Sequence, residues 1–205
     1  SVVVDNEFDW AGVGKPGIYP LSDQNVTLLE VLAEAGGASN SLTNPQLRLQ
    51  RGNTTYGVSM DRLLSDTDKN VVLKGGDRIF VENDKRYFMS LGAAAKETQI
   101  PFPHDQVTAL DAMSLIGGLT DDRANAKGIM IMRQYPQSAV RQDGMGPRHA
   151  RTIFLVDLTS ADGLFSAGQF QVNPGDLIYV TEAAMIDTVK TLGMIGVIFG
   201  LGNSA

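Results

Sequence analysis

Cysteine is absent from the 205-residue chain, which excludes disulfides, thiolate metal sites and a thiol nucleophile. Histidine is nearly as scarce. His104 and His149 are the only two, and they share no metal-ligand spacing. No Gly-x-Ser-x-Gly or His-Glu-x-x-His string occurs, so neither of those hydrolytic arrangements can be assembled. Positive charge is in deficit, with 17 Lys and Arg against 23 Asp and Glu. The net charge of -6 divides as -4 over residues 1–82, -2 over residues 83–182 and zero over the tail. An acidic chain without a basic face is a poor nucleic-acid binder. Long apolar runs are missing too: the uncharged stretch after Lys190 is about a dozen residues, short of the roughly 20 a lone spanning helix needs.

What the chain does contain is one pattern written twice. Val26-Thr27-Leu28-Leu29-Glu30 leading to Gly36-Gly37 returns as Val107-Thr108-Ala109-Leu110-Asp111 leading to Gly117-Gly118. Each copy follows a proline-marked extended segment, Ile18-Tyr19-Pro20-Leu21 and then Ile100-Pro101-Phe102. Each precedes two β-rich runs around a tight turn, Gly75-Gly76-Asp77 and then Pro174-Gly175-Asp176. Thr27 with Glu30, and Thr108 with Asp111, are placed to cap helix starts reciprocally, and the paired glycines supply the left-handed residue that ends a helix. The spacing puts Leu29, Leu32 and Ala33 on one face of the first helix, and Leu110, Met113 and Ser114 on one face of the second. Each unit therefore reads as strand, strand, helix and a hairpin or two, an α+β fold with a helix laid across a sheet. Fixed-period duplication shifts the expectation from one active site to a tandem array.

Several strings imitate ligand sites. Gly12-Val13-Gly14-Lys15-Pro16-Gly17 fits the dinucleotide glycine fingerprint, but Ile18-Tyr19-Pro20 follows where a helix must begin, so a tight turn is expected. Asp66-x-Asp68-x-Asn70 with Asp77 imitates a calcium loop, yet Val71 occupies the position that wants glycine, so a solvated loop is expected. Asp121-Asp122 beside Arg123 reads as a solvated turn rather than an acid–base pair. With no catalytic constellation, metal cluster or cofactor motif, an enzyme is not expected.

Two regions remain. The segment from Arg133 to Arg151 is irregular and lies between the strand-like runs Ile129–Met132 and Thr152–Val156. It is either a flexible hairpin tip or a contact surface for a neighbouring subunit or an anionic glycan, with Arg141, Arg148 and Arg151 as candidate contacts. From Ala183 to Gly202 the chain reads as a helix. Ile186, Val189, Gly193, Gly196 and Gly200 make a stripe on which another helix could pack closely, and Met185, Leu192, Ile195 and Phe199 make a bulkier one.

The string Gly14-Lys15-Pro16-Gly17-Ile18-Tyr19-Pro20-Leu21, then Thr27–Leu32, Gly36-Gly37 and a Gly-Asp turn, resembles the SLBB domain, a β-grasp module. Two such modules with a glycine-rich apolar C-terminus resemble the Wza-type polysaccharide export outer-membrane proteins. The second copy departs from the pattern, with Ala93-Ala94-Ala95-Lys96-Glu97-Thr98 standing where a Gly-x-x-x-Pro-Gly turn belongs. The resemblance implies SLBB domains over residues 1–82 and 83–182 and a C-terminal helix over 183–205. It implies a homo-oligomeric ring of about eight subunits that conducts capsule or exopolysaccharide passively through the periplasm and outer membrane of a Gram-negative bacterium. Its partners would be other copies of itself, an inner-membrane polysaccharide co-polymerase, the exported polymer and outer-membrane lipid. The resemblance also implies a signal peptide, a lipidated cysteine and an N-terminal export domain. Ser1-Val2-Val3-Val4 reads as a strand instead, so a fragment or processed chain is expected. The alternative is a soluble SLBB glycan-binding or assembly-accessory protein without a pore. An exposed aromatic platform would favour it, but Trp10, the only tryptophan, stands at an expected core position.

Overall fold

A computed structural model of the chain describes residues 1–6, 12–21, 25–118, 126, 128–141, 143, 145–181 and 196–198. It divides into two compact units, Ser1–Lys85 with Pro103–Asp105, and Arg86–Phe102 with Gln106–Ala205. In chain order the first holds strands β1 (Val2–Asn6) and β2 (Gly17–Tyr19), helix α1 (Leu28–Glu34), the hairpin β3 (Gln46–Arg51) and β4 (Thr54–Ser59), helix α2 (Met60–Ser65) and β5 (Arg78–Glu82). The second holds β6 (Tyr87–Gly92), β7 (Thr98–Pro101), α3 (Ala109–Leu115), β8 (Ile129–Gln134), β9 (Arg151–Val156), α4 (Ala161–Gln169), β10 (Leu177–Val180) and β11 (Gly196–Ile198).

The two sheets share one topology. Strand order is β2-β1-β5-β3-β4 in the first and β7-β6-β10-β8-β9 in the second, where β11 adds a sixth strand on the outer edge of β9. β5 and β10 enter the centres of their sheets, each parallel to the first strand of its unit and antiparallel to the third. Backbone bonds repeat pair for pair. The Leu73 amide donates to the Val26 carbonyl and the Val172 amide to the Val107 carbonyl, both at 2.8 Å; the Val3 amide donates to the Asp77 carbonyl and the Met89 amide to the Asp176 carbonyl. Thus the Gly-Asp turn does not close a hairpin, as the sequence pattern suggested. Val72 bridges to Thr27 at the start of α1, and Gln171 bridges to Thr108 at the start of α3.

Both helices start and stop as their residues dictate. The Thr27 amide donates to the Glu30 carboxylate (2.7 Å), and Thr108 and Asp111 exchange bonds in both directions (3.0 and 3.1 Å). Gly36 and Gly117 adopt φ of +87° and +84°, and the next amides, Gly37 and Gly118, close back on the Leu32 and Met113 carbonyls at 2.8 Å. The buried face differs from the expected one by a residue. Leu28, Val31 and Leu32 are buried in α1, and Ala109, Ala112 and Met113 in α3, whereas Ala33, Leu110 and Ser114 face solvent. With the caps fixed at Thr27 and Thr108, the first helical residue itself points at the sheet. The departure at Ala93–Thr98 also has a steric account. A Cβ on Gly36 would lie 3.3 Å from the Gly14 Cα, and one on Gly117 would lie 3.1 Å from the Ala95 methyl, so the helix end needs a small neighbour in both units and alanine suffices in the second.

A buried carboxylate anchors each central strand. In β3 and β5 the register pairs Gln50 with Arg78, and in β8 and β10 it pairs Met132 with Leu177, which sets Arg51 opposite Asp77 and Arg133 opposite Asp176. Asp77 and Asp176 are each 1% exposed. Arg51 donates to Asp77 from Nε (2.9 Å) and Nη2 (2.6 Å) and to the Val72 carbonyl (2.9 Å). Arg133 donates to Asp176 from Nε (2.9 Å) and Nη2 (2.7 Å) and to the Gln171 carbonyl (2.7 Å). Each carboxylate also accepts from its own turn, at the Lys74 and Asn173 amides. Arg133 lies over the Phe154 and Phe170 rings as well, with its guanidinium carbon 5.2 and 5.1 Å from their centroids. Burial pushes the Asp77 carboxyl up, but the Arg51 fork and the Lys74 amide outweigh it, so Asp77 ionises below the usual carboxylate range.

The repeat also exposes one misfit. Val4 pairs with Ile79 in the first sheet, and Ser90 pairs with Ile178 at the matching place in the second. Ser90 is 0% exposed, and its hydroxyl finds no hydrogen-bond partner among the described residues.

Substitutions at Asp176, Asp77 and Ser90 test these contacts. Asp176→Ala leaves the Arg133 guanidinium, 11% exposed, without its partner and is expected to cost about 3–5 kcal/mol in denaturant unfolding. Asp77→Ala is expected to cost less, because Arg51 is 30% exposed and water can replace the carboxylate. The folded-state pKa of Asp77 lies below its unfolded one, so its stabilisation is whole above the unfolded value, about 4, and is lost as pH falls through the folded value. Asp77→Asn should therefore remove part of the acid-side fall in stability of the first unit. Ser90→Val is expected to stabilise the second unit by about 1 kcal/mol or more, since an unsatisfied buried hydroxyl costs about 1–3 kcal/mol. A loss of stability in both Ser90→Val and Ser90→Ala would mean that the hydroxyl is bonded.

Candidate contact surfaces

Among the described residues no cluster of three His, Asp or Glu side chains could hold a metal, and the strings that imitate ligand sites have other duties. Asp66 caps the 3-10 turn Thr67–Lys69 through the Asp68 amide, Asn70 accepts the Leu29 amide at the start of α1 (3.0 Å), and Asp77 is held by Arg51. The Gly12 carbonyl accepts the Ser39 amide, and the chain from Gly17 runs on as β2, so no helix N-terminus stands where a pyrophosphate would need one. His104 and His149 are both exposed. Trp10, Asp121, Asp122 and Arg123 lie outside the described residues.

The segment between β8 and β9 is where the units differ most. In the first unit Arg51 pairs with Thr54 across a turn of two residues, Gly52 and Asn53. In the second, Arg133 pairs with Thr152, and residues 134–151 fill the same place. The insertion is built, not slack. Gln134 pairs with Arg151, and the Tyr135 amide donates to the Ala150 carbonyl (2.7 Å), extending the ladder. Further out the Arg141 amide donates to the Pro147 carbonyl (2.9 Å). Arg141 forks onto Asp143 (3.0 and 2.7 Å), which also accepts the Met145 amide (3.0 Å). The Met145 amide and the Arg141 guanidinium hold the Asp143 carboxyl below its ordinary range.

Three arginines expected at a contact thus separate into two kinds. Arg141 is committed to Asp143 within the loop. Arg148 and Arg151 are exposed and make no ion pair among the described residues. Between them and Arg141, Met145 is 79% exposed. Charge counting alone does not find Met145.

Of the tail stripe, Ile186, Val189, Gly193 and Gly200 lie outside the described residues. Gly196 does not, and it differs from expectation: Gly196–Ile198 form β11, parallel to β9, with Gly196 opposite Thr152 and Ile198 opposite Phe154. At these residues a strand replaces the expected helix. Val197 and Ile198 are β-branched, which favours extended backbone, and the edge of β9 offers unpaired donors and acceptors. Among the described residues no helix is long and apolar enough to cross a membrane.

Comparison with known proteins places this architecture. The SLBB domain profile matches residues 12–81. The chain is 28% identical over 185 residues to the capsule polysaccharide export outer membrane protein CtrA of Neisseria meningitidis, covering 86% of this chain and 48% of that protein. It is 25% identical to the capsule polysaccharide export protein BexD of Haemophilus influenzae (86% and 47%) and 25% identical to the Vi polysaccharide export protein VexA/TviF of Salmonella typhi (87% and 50%). The chain spans about half the length of the curated relatives it matches. The first unit thus carries an SLBB domain match over residues 12–81, its topology recurs in the second unit, and the chain as a whole is similar to proteins named for capsule polysaccharide export.

Proposed function

We propose that the chain is a periplasmic and outer-membrane segment of a capsule or exopolysaccharide export conduit in a Gram-negative bacterium. The observation that carries this reading is similarity over 86% of the chain to a protein named for capsule polysaccharide export. The tandem fold supports it. Two small rigid modules, each locked by a buried Arg–Asp pair, suit a passive wall better than a moving catalyst. In this reading copies of the chain close a ring through head-to-tail contacts, each using two different patches. The polymer is moved by its synthesis and by an inner-membrane co-polymerase, and no side chain of this segment does covalent chemistry. Residues 183–205 meet outer-membrane lipid, with the stripe of Ile186, Val189, Gly193 and Gly200 against neighbouring copies.

One observation favours a second reading, an SLBB glycan-binding or accessory protein without a pore. Gly196–Ile198 lie in the second sheet rather than in a helix, so part of the tail belongs to a folded unit. Deleting the residues after Glu182 separates the two. The conduit reading expects surface polysaccharide to be lost while both units keep their unfolding transitions, the second with a small decrease from the uncovered β9 edge. Unchanged surface polysaccharide excludes the tail as the exit, and outright unfolding of the second unit favours the accessory reading.

A further inference from the structure

The internal repeat provides its own control. The first unit completes the same sheet with the two residues Gly52 and Asn53 at the place where the second carries residues 134–151, so the fold does not require the insertion. Nor is the insertion an unstructured spacer. Two cross-loop backbone bonds and the Arg141–Asp143 fork brace it, and Gly146 is packed so closely that a Cβ there would lie 3.1 Å from the Ala139 carbonyl oxygen. A braced projection holds an exposed methionine at little further cost in ordering entropy.

We propose that this projection is a docking element for a second copy of the chain. It carries Met145, 79% exposed, near its tip, with the exposed Arg148 and Arg151 on the limb that returns to β9. Methionine and arginine are both enriched at protein interfaces. A hydroxylated polymer makes little use of a bare thioether, whereas an apolar anchor flanked by guanidinium groups fits a protein surface. The chain also supplies the complement. Residues 134–151 hold three arginines against one aspartate, a net +2, in a chain of net -6. The rest of the chain therefore carries a formal -8, with Glu34, Asp61 and Asp68 among its exposed acids. A basic projection on one copy drawn to the net-acidic remainder of the next makes a head-to-tail contact, the kind that closes rings. This inference rests on the conduit reading and names one of its two patches.

The test compares the full chain with two variants in detergent-containing buffer. One replaces residues 134–151 by Gly-Asn, the turn the first unit already uses. The other keeps the loop and combines Met145→Ser, Arg148→Glu and Arg151→Glu. Both are expected to keep the unfolding transitions of the parent chain and to weaken self-association by about tenfold or more, read by sedimentation across a concentration series. A photo-crosslinking residue at position 145 is expected to capture a second copy. Should the excised variant misfold, the loop-retaining variant decides. Variants that assemble and export like the parent overturn the docking element and leave the conduit standing. A crosslink to polysaccharide alone overturns it in favour of a glycan contact, and a parent chain that is monomeric at every concentration overturns it together with the ring.

Discussion

The central strand of each unit, β5 or β10, must thread between a parallel and an antiparallel neighbour, and a turn with a buried aspartate aims it there. In both units the carboxylate accepts an amide of its own turn and the fork of the arginine directly across the ladder, while the backbone carbonyl of the same residue accepts an amide from the first strand. One residue therefore ties turn, third strand and first strand together. Where both partners are enclosed, as Arg133 and Asp176 are, removing one costs about 3–5 kcal/mol, as much as truncating a large core aromatic. The second clamp is the more enclosed, with Arg133 stacked against Phe154 and Phe170, and it carries the unit that holds the insertion.

Duplication makes the two units commentaries on each other. Where both need the same geometry they agree even when the residues change: Gly14 and Ala95 each leave room for a helix-ending glycine. Where they differ, the fold has tolerated it. Ser90 in place of the Val4 equivalent leaves a buried hydroxyl without a partner among the described residues, the hairpin tip grows from two residues to a braced projection, and β11 covers the edge of β9. The last two features alter the margin of the second sheet and leave its core undisturbed.

Such a division suits a conduit. In the proposed reading a wall that conducts a polymer passively must be stiff and closed, and the buried Arg–Asp pairs brace each unit. Closure depends on the margins. An acidic chain repels copies of itself, and in the proposed ring a local reversal of sign on the projection would give approach a direction as well as an affinity.

The sequence by itself determined the duplication, the capped short helices ended by paired glycines, the Gly-Asp turns and the strands on either side of the insertion, because these are local codes that need only neighbours a few residues away. It also placed the family resemblance on Gly14–Leu21, Thr27–Leu32 and Gly36-Gly37, within the span later matched to the SLBB domain. The buried helix face was legible only to within one residue, since apolar spacing fixes a stripe and packing against the sheet fixes its rotation. What the tertiary structure alone decided is long-range. Arg51 and Asp77 are 26 residues apart and Arg133 and Asp176 are 43 apart, and no periodicity joins them before the strands are in register. The same holds for β11, where local spacing reads as helix but the open edge of β9 offers hydrogen bonds that only a strand can take.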